Sequence, residues 1–196
     1  MARKKIIDLQ ELMKVTEELL LEIGYDRLNF RLISGRLGVG RSTIYEYFSN
    51  KEDLVCEYML RVMNLITQRM EQISSELPAE QQLKKVIAIL MDYAQIHLIL
   101  ELTGELQAAF QDDDERLLKI MKEKEMLLDG INKYVLIAEQ ACDLREDIPS
   151  SVKTSYIFQL ITLQRTHLHI SDKKEDIDLS EWVSLMFSLF MQGLKK

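Results

Sequence analysis

Arg41 and Ser42 stand at the head of a short segment in which Ile44 and Phe48 fall one helical turn apart, while Ser42 and Glu46 fall on the opposite side. A guanidinium and a hydroxyl in the first turn of such a helix suit the edges of bases, and a guanidinium can pair bidentately with O6 and N7 of guanine. Thr43 and Tyr45 flank the outer face, and Thr43 and Tyr47 offer hydroxyls to phosphates. Lys51 follows at the mouth of the next helix, where its ammonium and the free backbone amides can converge on one phosphate. Glu46 is the single acid on that outer face. It can accept from cytosine N4, or lie beyond the groove and limit non-specific binding, and the second role is favoured.

These side chains need a frame that presents them together. Leu12, Val15, Thr16, Leu19, Leu20 and Ile23 form one stripe of a first helix, which Gly24 stops. A second helix starts at Asn29, whose side chain can cap the first-turn amides, and buries Phe30, Ile33 and Leu37. Gly38, Val39 and Gly40 make the corner, with Gly38 in the left-handed conformation that ends a helix and Val39 pointing inward as its apolar pin. The third helix then runs from Arg41 to Phe48. Together these segments read as a helix-turn-helix, in which the second of two short helices enters the major groove.

The charge balance agrees with that reading once its distribution is considered. The 196-residue chain has a net charge of −7, yet residues 1–51 hold nine Lys and Arg against seven Asp and Glu. Between 27 and 51 the basic residues are Arg27, Arg31, Arg36, Arg41 and Lys51, with Glu46 alone opposing them. A small basic face on an acidic body is the electrostatic footprint of a DNA-binding segment joined to a body that does not bind DNA.

The rest of the sequence reads as helices throughout. Two prolines and seven glycines leave long stretches without the punctuation that strands need, so the expected fold is all-α. Helices are expected over Lys51–Ser75, Ala79–Leu100, followed by a short interruption at Gly104, then Asp112–Cys142 with Asp112 and Glu115 at capping-box spacing, Pro149–His169 and Ile177–Leu194. The last two are apolar on more than one face, through Tyr156, Ile157, Phe158, Leu160, Ile161 and Leu163, and through Trp182, Val183, Leu185, Met186, Phe187, Leu189, Phe190 and Met191. One face must be buried in its own domain and the other against something else, and a partner subunit is the simplest occupant.

Other chemistries find little support. No nucleophile stands at a defined spacing from a base and no glycine-rich phosphate loop occurs, so no catalytic residue is expected. His167 and His169 lie about 200° apart around a helix and cannot chelate one ion. His97 and Glu101 are workably spaced, but two ligands do not make a site. The acidic run Asp112 to Glu115 has a dipole reason to begin a helix. Neither a metal nor a cofactor is therefore expected. Cys56 and Cys142 read as buried reduced thiols rather than a disulfide. The positive N-terminus meets Asp8 and Glu11 before an apolar core can develop, no apolar run reaches the roughly 20 residues that span a bilayer, and a cytoplasmic location is expected.

The segment from Val15 to Leu54, VTEELLLEIGYDRLNFRLISGRLGVGRSTIYEYFSNKEDL, resembles the N-terminal domain of the tetracycline-repressor (TetR) family. Thr43, Tyr45, Tyr47, Phe48, Lys51 and Leu54 all fall in register with that family's pattern, while Gly40, Asn29 and Ser34 stand where Ser, Thr and Ala are usual. The resemblance implies base contacts from Arg41, Ser42, Arg31 and Tyr45, and phosphate contacts from Asn29, Thr43, Tyr47 and Lys51. It implies a helix-turn-helix domain over 1–50, followed by a helical bundle over 51–196 that binds an effector and dimerises through its last two helices. The expected partners are a second copy of the chain, a near-palindromic double-stranded operator read by two helices about 34 to 36 Å apart, and a small apolar or amphipathic ligand. The expected function is a transcriptional regulator, a repressor released from DNA by that ligand. The alternative is a constitutive or protein-controlled DNA binder, and a cavity in the bundle would separate the two readings. Polar groups placed to touch an effector are Tyr93, His97 and Glu101 on one ridge, with Tyr134, Gln159, Thr162 and Arg165 on other helices. Met59, Met63, Met70, Met121 and Met126 could line an adaptable pocket or fill the core.

Overall fold

The computed structural model describes residues 7–93, 96–111, 114–170 and 177–195, with side chains described outside 96–101 and 164–170. The described residues form α-helices without strands: α1 (Leu9–Arg27), α2 (Phe30–Leu37), α3 (Arg41–Tyr45), α4 (Lys51–Glu71), α5 (Ala79–Asp92), α6 (Ile96–Ala109), α7 (Glu115–Ala141), α8 (Ser150–Ile170) and α9 (Leu179–Leu194). None of them is long and apolar enough to cross a membrane.

The chain divides into two compact units, one of Met1–Arg61 with Leu98–Met121, the other of Val62–His97 with Lys122–Lys196. In the first, α2 touches both α1 and α3. The α1 stripe is buried at Leu12, Val15, Thr16, Leu19 and Leu20, with Ile23 half-buried. Ile33, Ile44, Leu54 and Val55 complete an apolar centre from which water is excluded. Gly24 breaks the helical path with φ of 76°, as its position between two apolar blocks anticipates, and a last turn reaches Arg27.

In the second unit α5, α8 and α9 touch one another pairwise. α9 buries Trp182, Val183, Met186, Phe187, Phe190, Met191 and Leu194, and Phe190 stacks on Tyr156 of α8 at 5.9 Å. Its start is fixed by a capping box in which Asp178 and Glu181 satisfy each other's backbone amides. Lys153 of α8 is wholly buried and its Nζ lies 2.6 Å from Glu139 Oε2 of α7.

Several expected boundaries move. The single helix expected over Ala79–Leu100 is two, because α5 ends at Asp92 with Tyr93 as its non-helical cap (φ −110°, ψ 52°) and α6 begins at Ile96. Gly104 does not interrupt: it lies inside α6, and a Cβ added there would meet open space. α4 stops at Glu71 rather than Ser75. The described cap of α7 is Asp114, whose side chain accepts from the backbone N–H of Arg116 at 2.9 Å; Asp112 lies outside the described residues. Cys56 is buried and Cys142 only half-buried, and both are free thiols. Burial pushes the Cys56 thiol up to about 11.

Candidate nucleic-acid interface

The corner between α2 and α3 follows from three local devices. Asn29 Oδ1 accepts from the backbone N–H of Arg31 and of Leu32, both at 3.1 Å, and its Nδ2 donates to the Arg27 carbonyl at 3.0 Å. Gly38 adopts the left-handed conformation (φ 63°, ψ 36°), and its N–H and that of Val39 both reach the Ser34 carbonyl. Gly40 opens α3 in an extended conformation with no side chain to cap it. A serine there has room, since an added Cβ would meet Ser42 Oγ at 3.4 Å. Gly40→Ser is expected to raise unfolding stability by a few tenths of a kcal/mol through a new N-cap bond. A lower thermal midpoint would mean that crowding at Ser42 outweighs it.

α3 is shorter than its apolar pattern suggested. It ends at Tyr45, although Phe48 N–H still reaches the Ile44 carbonyl at 3.0 Å through the following turn. Ile44 is fully buried, while Phe48 and the pin Val39 are only half-buried. Arg31, Arg41, Ser42 and Tyr47 are exposed and Thr43 is half-buried. Tyr45 is 58% exposed and meets the Phe30 ring edge-on at 4.9 Å, so its hydroxyl is presented on a supported ring. Asn29 is exposed, but its oxygen and nitrogen are spent on the cap; a phosphate would meet a partly used group.

Two of the five basic residues in the 27–51 stretch are held by the protein itself. Arg36 pairs with Glu22 at 2.9 Å and Glu18 at 3.7 Å, which keeps its guanidinium protonated and turned to α1. Lys51 Nζ donates to the Tyr25 carbonyl at 3.1 Å and lies 3.9 Å above the Tyr25 ring. The Tyr25 hydroxyl in turn donates to Glu52 at 3.3 Å, and burial together with that carboxylate raises its ionisation well beyond the neutral range. Asn50 Oδ1 caps α4 by accepting from Asp53 N–H at 2.7 Å.

The second compact unit holds a cleft of about 610 Å³ between the end of α4, the 73–82 stretch and the middle of α7. Met70, Ile73, Met126 and Ile137 give it apolar walls, and Glu71, Asp129 and Lys133 give it charge. Tyr134 lines it and donates to the Met70 carbonyl at 2.8 Å. Gly130 lets Met70 approach: a Cβ there would sit 3.2 Å from Met70 Cε. A glycine inside a 27-residue helix was the signal that could have located this cleft from sequence.

Of the other residues placed to touch an effector, none whose side chain is described lines this cleft. Tyr93 is the non-helical cap of α5 and His97 belongs to α6, so the one continuous helix expected to carry both ends at Asp92; the side chains of His97, Glu101 and Arg165 lie outside the described residues. Gln159 is exposed and Thr162 donates to its carbonyl at 2.8 Å. Of the methionines, Met59 and Met63 are core, Met121 is exposed, and Met70 and Met126 face the cleft. No cluster of metal-ligating side chains occurs among the described residues.

Residues 12–58 match the family of bacterial regulatory proteins, tetR family. The fatty acid metabolism regulator protein of Bacillus subtilis (strain 168) is 26% identical over 172 residues, which cover 85% of this chain and 86% of that one. The crystal structure of FadR from Bacillus subtilis in complex with stearoyl-CoA shares the fold at a TM-score of 0.67 and 22% identity, covering 95% of this chain and 100% of that chain. The ketosteroid transcriptional regulator KstR2 of Mycobacterium tuberculosis shares it at a TM-score of 0.75 and 13% identity, each chain covered in full.

Proposed function

We propose that the chain is a DNA-binding transcriptional regulator of the TetR type, a repressor released from its operator by a long-chain acyl amphiphile. The observation that carries the DNA-binding part is the supported row of Arg31, Arg41, Ser42, Tyr45 and Tyr47 on a capped helix-turn-helix. The domain that binds DNA is taken as 1–50, and the effector and dimerisation domain as 51–196.

The acyl effector is supported by similarity and by space. The Bacillus subtilis relative is a fatty acid metabolism regulator and a neighbour of the same fold was solved with stearoyl-CoA. The cleft beside α7 falls within the roughly 300 to 1,000 Å³ usual for small-molecule sites and combines apolar walls with a few charged groups. Homodimerisation through α8 and α9 is supported by the apolar side chains they leave uncovered, Val152, Leu163, Leu185 and Leu189. Release then requires that the effector favour one spacing of the two DNA-binding domains over the other.

The effector is tested by adding stearoyl-CoA, or coenzyme A alone, to protein bound to a fragment it has retained from genomic DNA. The thioester is expected to weaken binding by roughly 5- to 150-fold and coenzyme A to leave it unchanged. An unchanged affinity at saturating stearoyl-CoA overturns the acyl reading. The interface is tested by substitution. Lys51→Ala should weaken binding evenly across sequences and reduce the salt slope by about 1, whereas Arg41→Ala should relax base preference at a cost of about 1 to 3 kcal/mol on the preferred site. If neither variant alters binding, the assigned face is wrong.

A further inference from the structure

The first turn of α4 faces opposed demands. Carboxylates at a helix N-terminus are favoured by the dipole, and Glu52 and Asp53 occupy that turn. A phosphate drawn to that helix mouth, where Lys51 stands, would be repelled by both, even though Lys51 and Asp53 lie on different faces of the helix. Each carboxylate has a partner. Glu52 accepts from the Tyr25 hydroxyl, and Asp53 accepts from Arg116 Nη1, which stands on the first turn of α7 in the same compact unit. The Arg116 guanidinium also reaches Asp114 through Nη2 at 2.6 Å and Nε at 2.9 Å, and lies 4.2 Å from the centre of the Phe110 ring. Asp114 has a second source of compensation in the α7 amide it caps. Hydrogen bonding to Arg116 lowers the Asp114 carboxyl to about 2.

We infer that Arg116 is a positioning residue of the DNA-binding apparatus, holding the Asp53 carboxylate in an ion pair so that a phosphate on Lys51 does not meet an open negative charge. It acts through Asp53 and does not touch DNA. The pair spans 63 positions, and Arg116 lies outside residues 12–58 that carry the family match.

The sign of the effect follows from charge. Loss of Arg116 leaves Asp53 and Asp114 with one more net negative charge between them, and loss of Asp53 as well returns the cluster to its original net charge. Binding is measured by fluorescence anisotropy across a salt series, with a fragment of genomic DNA retained by the wild-type protein. Arg116→Ala is expected to weaken binding roughly tenfold at about 0.1 M salt, with the deficit narrowing as salt rises because the added negative charge is screened. Arg116→Ala with Asp53→Asn should recover to within about threefold of wild type. A double variant as weak as the single one would mean a mechanical tether or a direct phosphate contact, and either overturns the inference. So does wild-type affinity in Arg116→Ala. Should that variant fail to fold, Asp53→Asn alone decides, with equal or tighter binding expected and weaker binding counting against. A wild-type protein that retains no fragment overturns the DNA reading itself and this inference with it.

Discussion

Glu139→Ala is expected to destabilise the fold by about 3 to 5 kcal/mol, the largest effect of any single surface-adjacent substitution proposed for this chain. Glu139 is 19% exposed, but the Lys153 side chain it pairs with is 0% exposed. The two are 2.6 Å apart across α7 and α8. Removing the carboxylate strands an ammonium where water does not reach, and most of the cost is that uncompensated charge rather than the loss of a bond. The same argument gives the opposite result for the pair. Glu139→Leu with Lys153→Met removes both charges and fills similar volume, so its stability should lie within about 2 kcal/mol of wild type, or above it. Urea unfolding followed by circular dichroism, at fixed protein concentration because any self-association would shift the midpoint, separates the two. A loss under about 1 kcal/mol for Glu139→Ala would show that water or another group reaches Lys153.

Ile44→Ala should cost about 2 to 4 kcal/mol and abolish most of the DNA affinity, by roughly 100-fold. α3 has five residues, too few to be stable by itself, and Ile44 is the single buried side chain within it. Gly40 gives no side-chain cap, so what remains is the edge contact of Tyr45 on Phe30 and the turn behind. Cutting Ile44 back to one methyl leaves a void under a helix that can unfold locally while the rest of the chain stays folded. DNA affinity is therefore expected to fall more steeply than the global stability measured by thermal unfolding. Ile44→Val, with about 0.5 to 1.5 kcal/mol lost, should bind nearly as wild type. Wild-type affinity in Ile44→Ala would mean that α3 is not the reading element.

The helix-turn-helix was legible in the sequence because its determinants are local. Asn29, Gly38 and Gly24 each act on amides or dihedrals within four residues of themselves, and each is found in the role its chemistry implied. The end of α3 was not legible, since the apolar spacing of Ile44 and Phe48 persists while the backbone between them has already become a turn. The break at Tyr93 has no proline or glycine to announce it. There the end of α5 is held from outside, by Arg69 pairing with Asp92 at 2.7 Å and lying 5.6 Å from the Tyr93 ring, and such a contact leaves no trace in periodicity. Gly104 was misleading for the converse reason: a helix supported by its neighbours tolerates the roughly 1 kcal/mol that an interior glycine costs. Asp114, the described cap within the acidic run before α7, was legible as a helix start, but the reach of Arg116 to Asp53 joins segments too distant for any spacing rule.

The anchoring of Arg36 on Glu22 and Glu18 has a kinetic consequence. Affinity for arbitrary DNA rises with each cation that can displace counterions from the duplex, and a guanidinium already committed to α1 contributes little. With that residue withheld and a net charge of −7 behind it, the protein should leave unrelated sequence quickly. Time spent on each wrong site shortens, more sites are sampled per second, and a small number of molecules can patrol a whole chromosome without being titrated away by it.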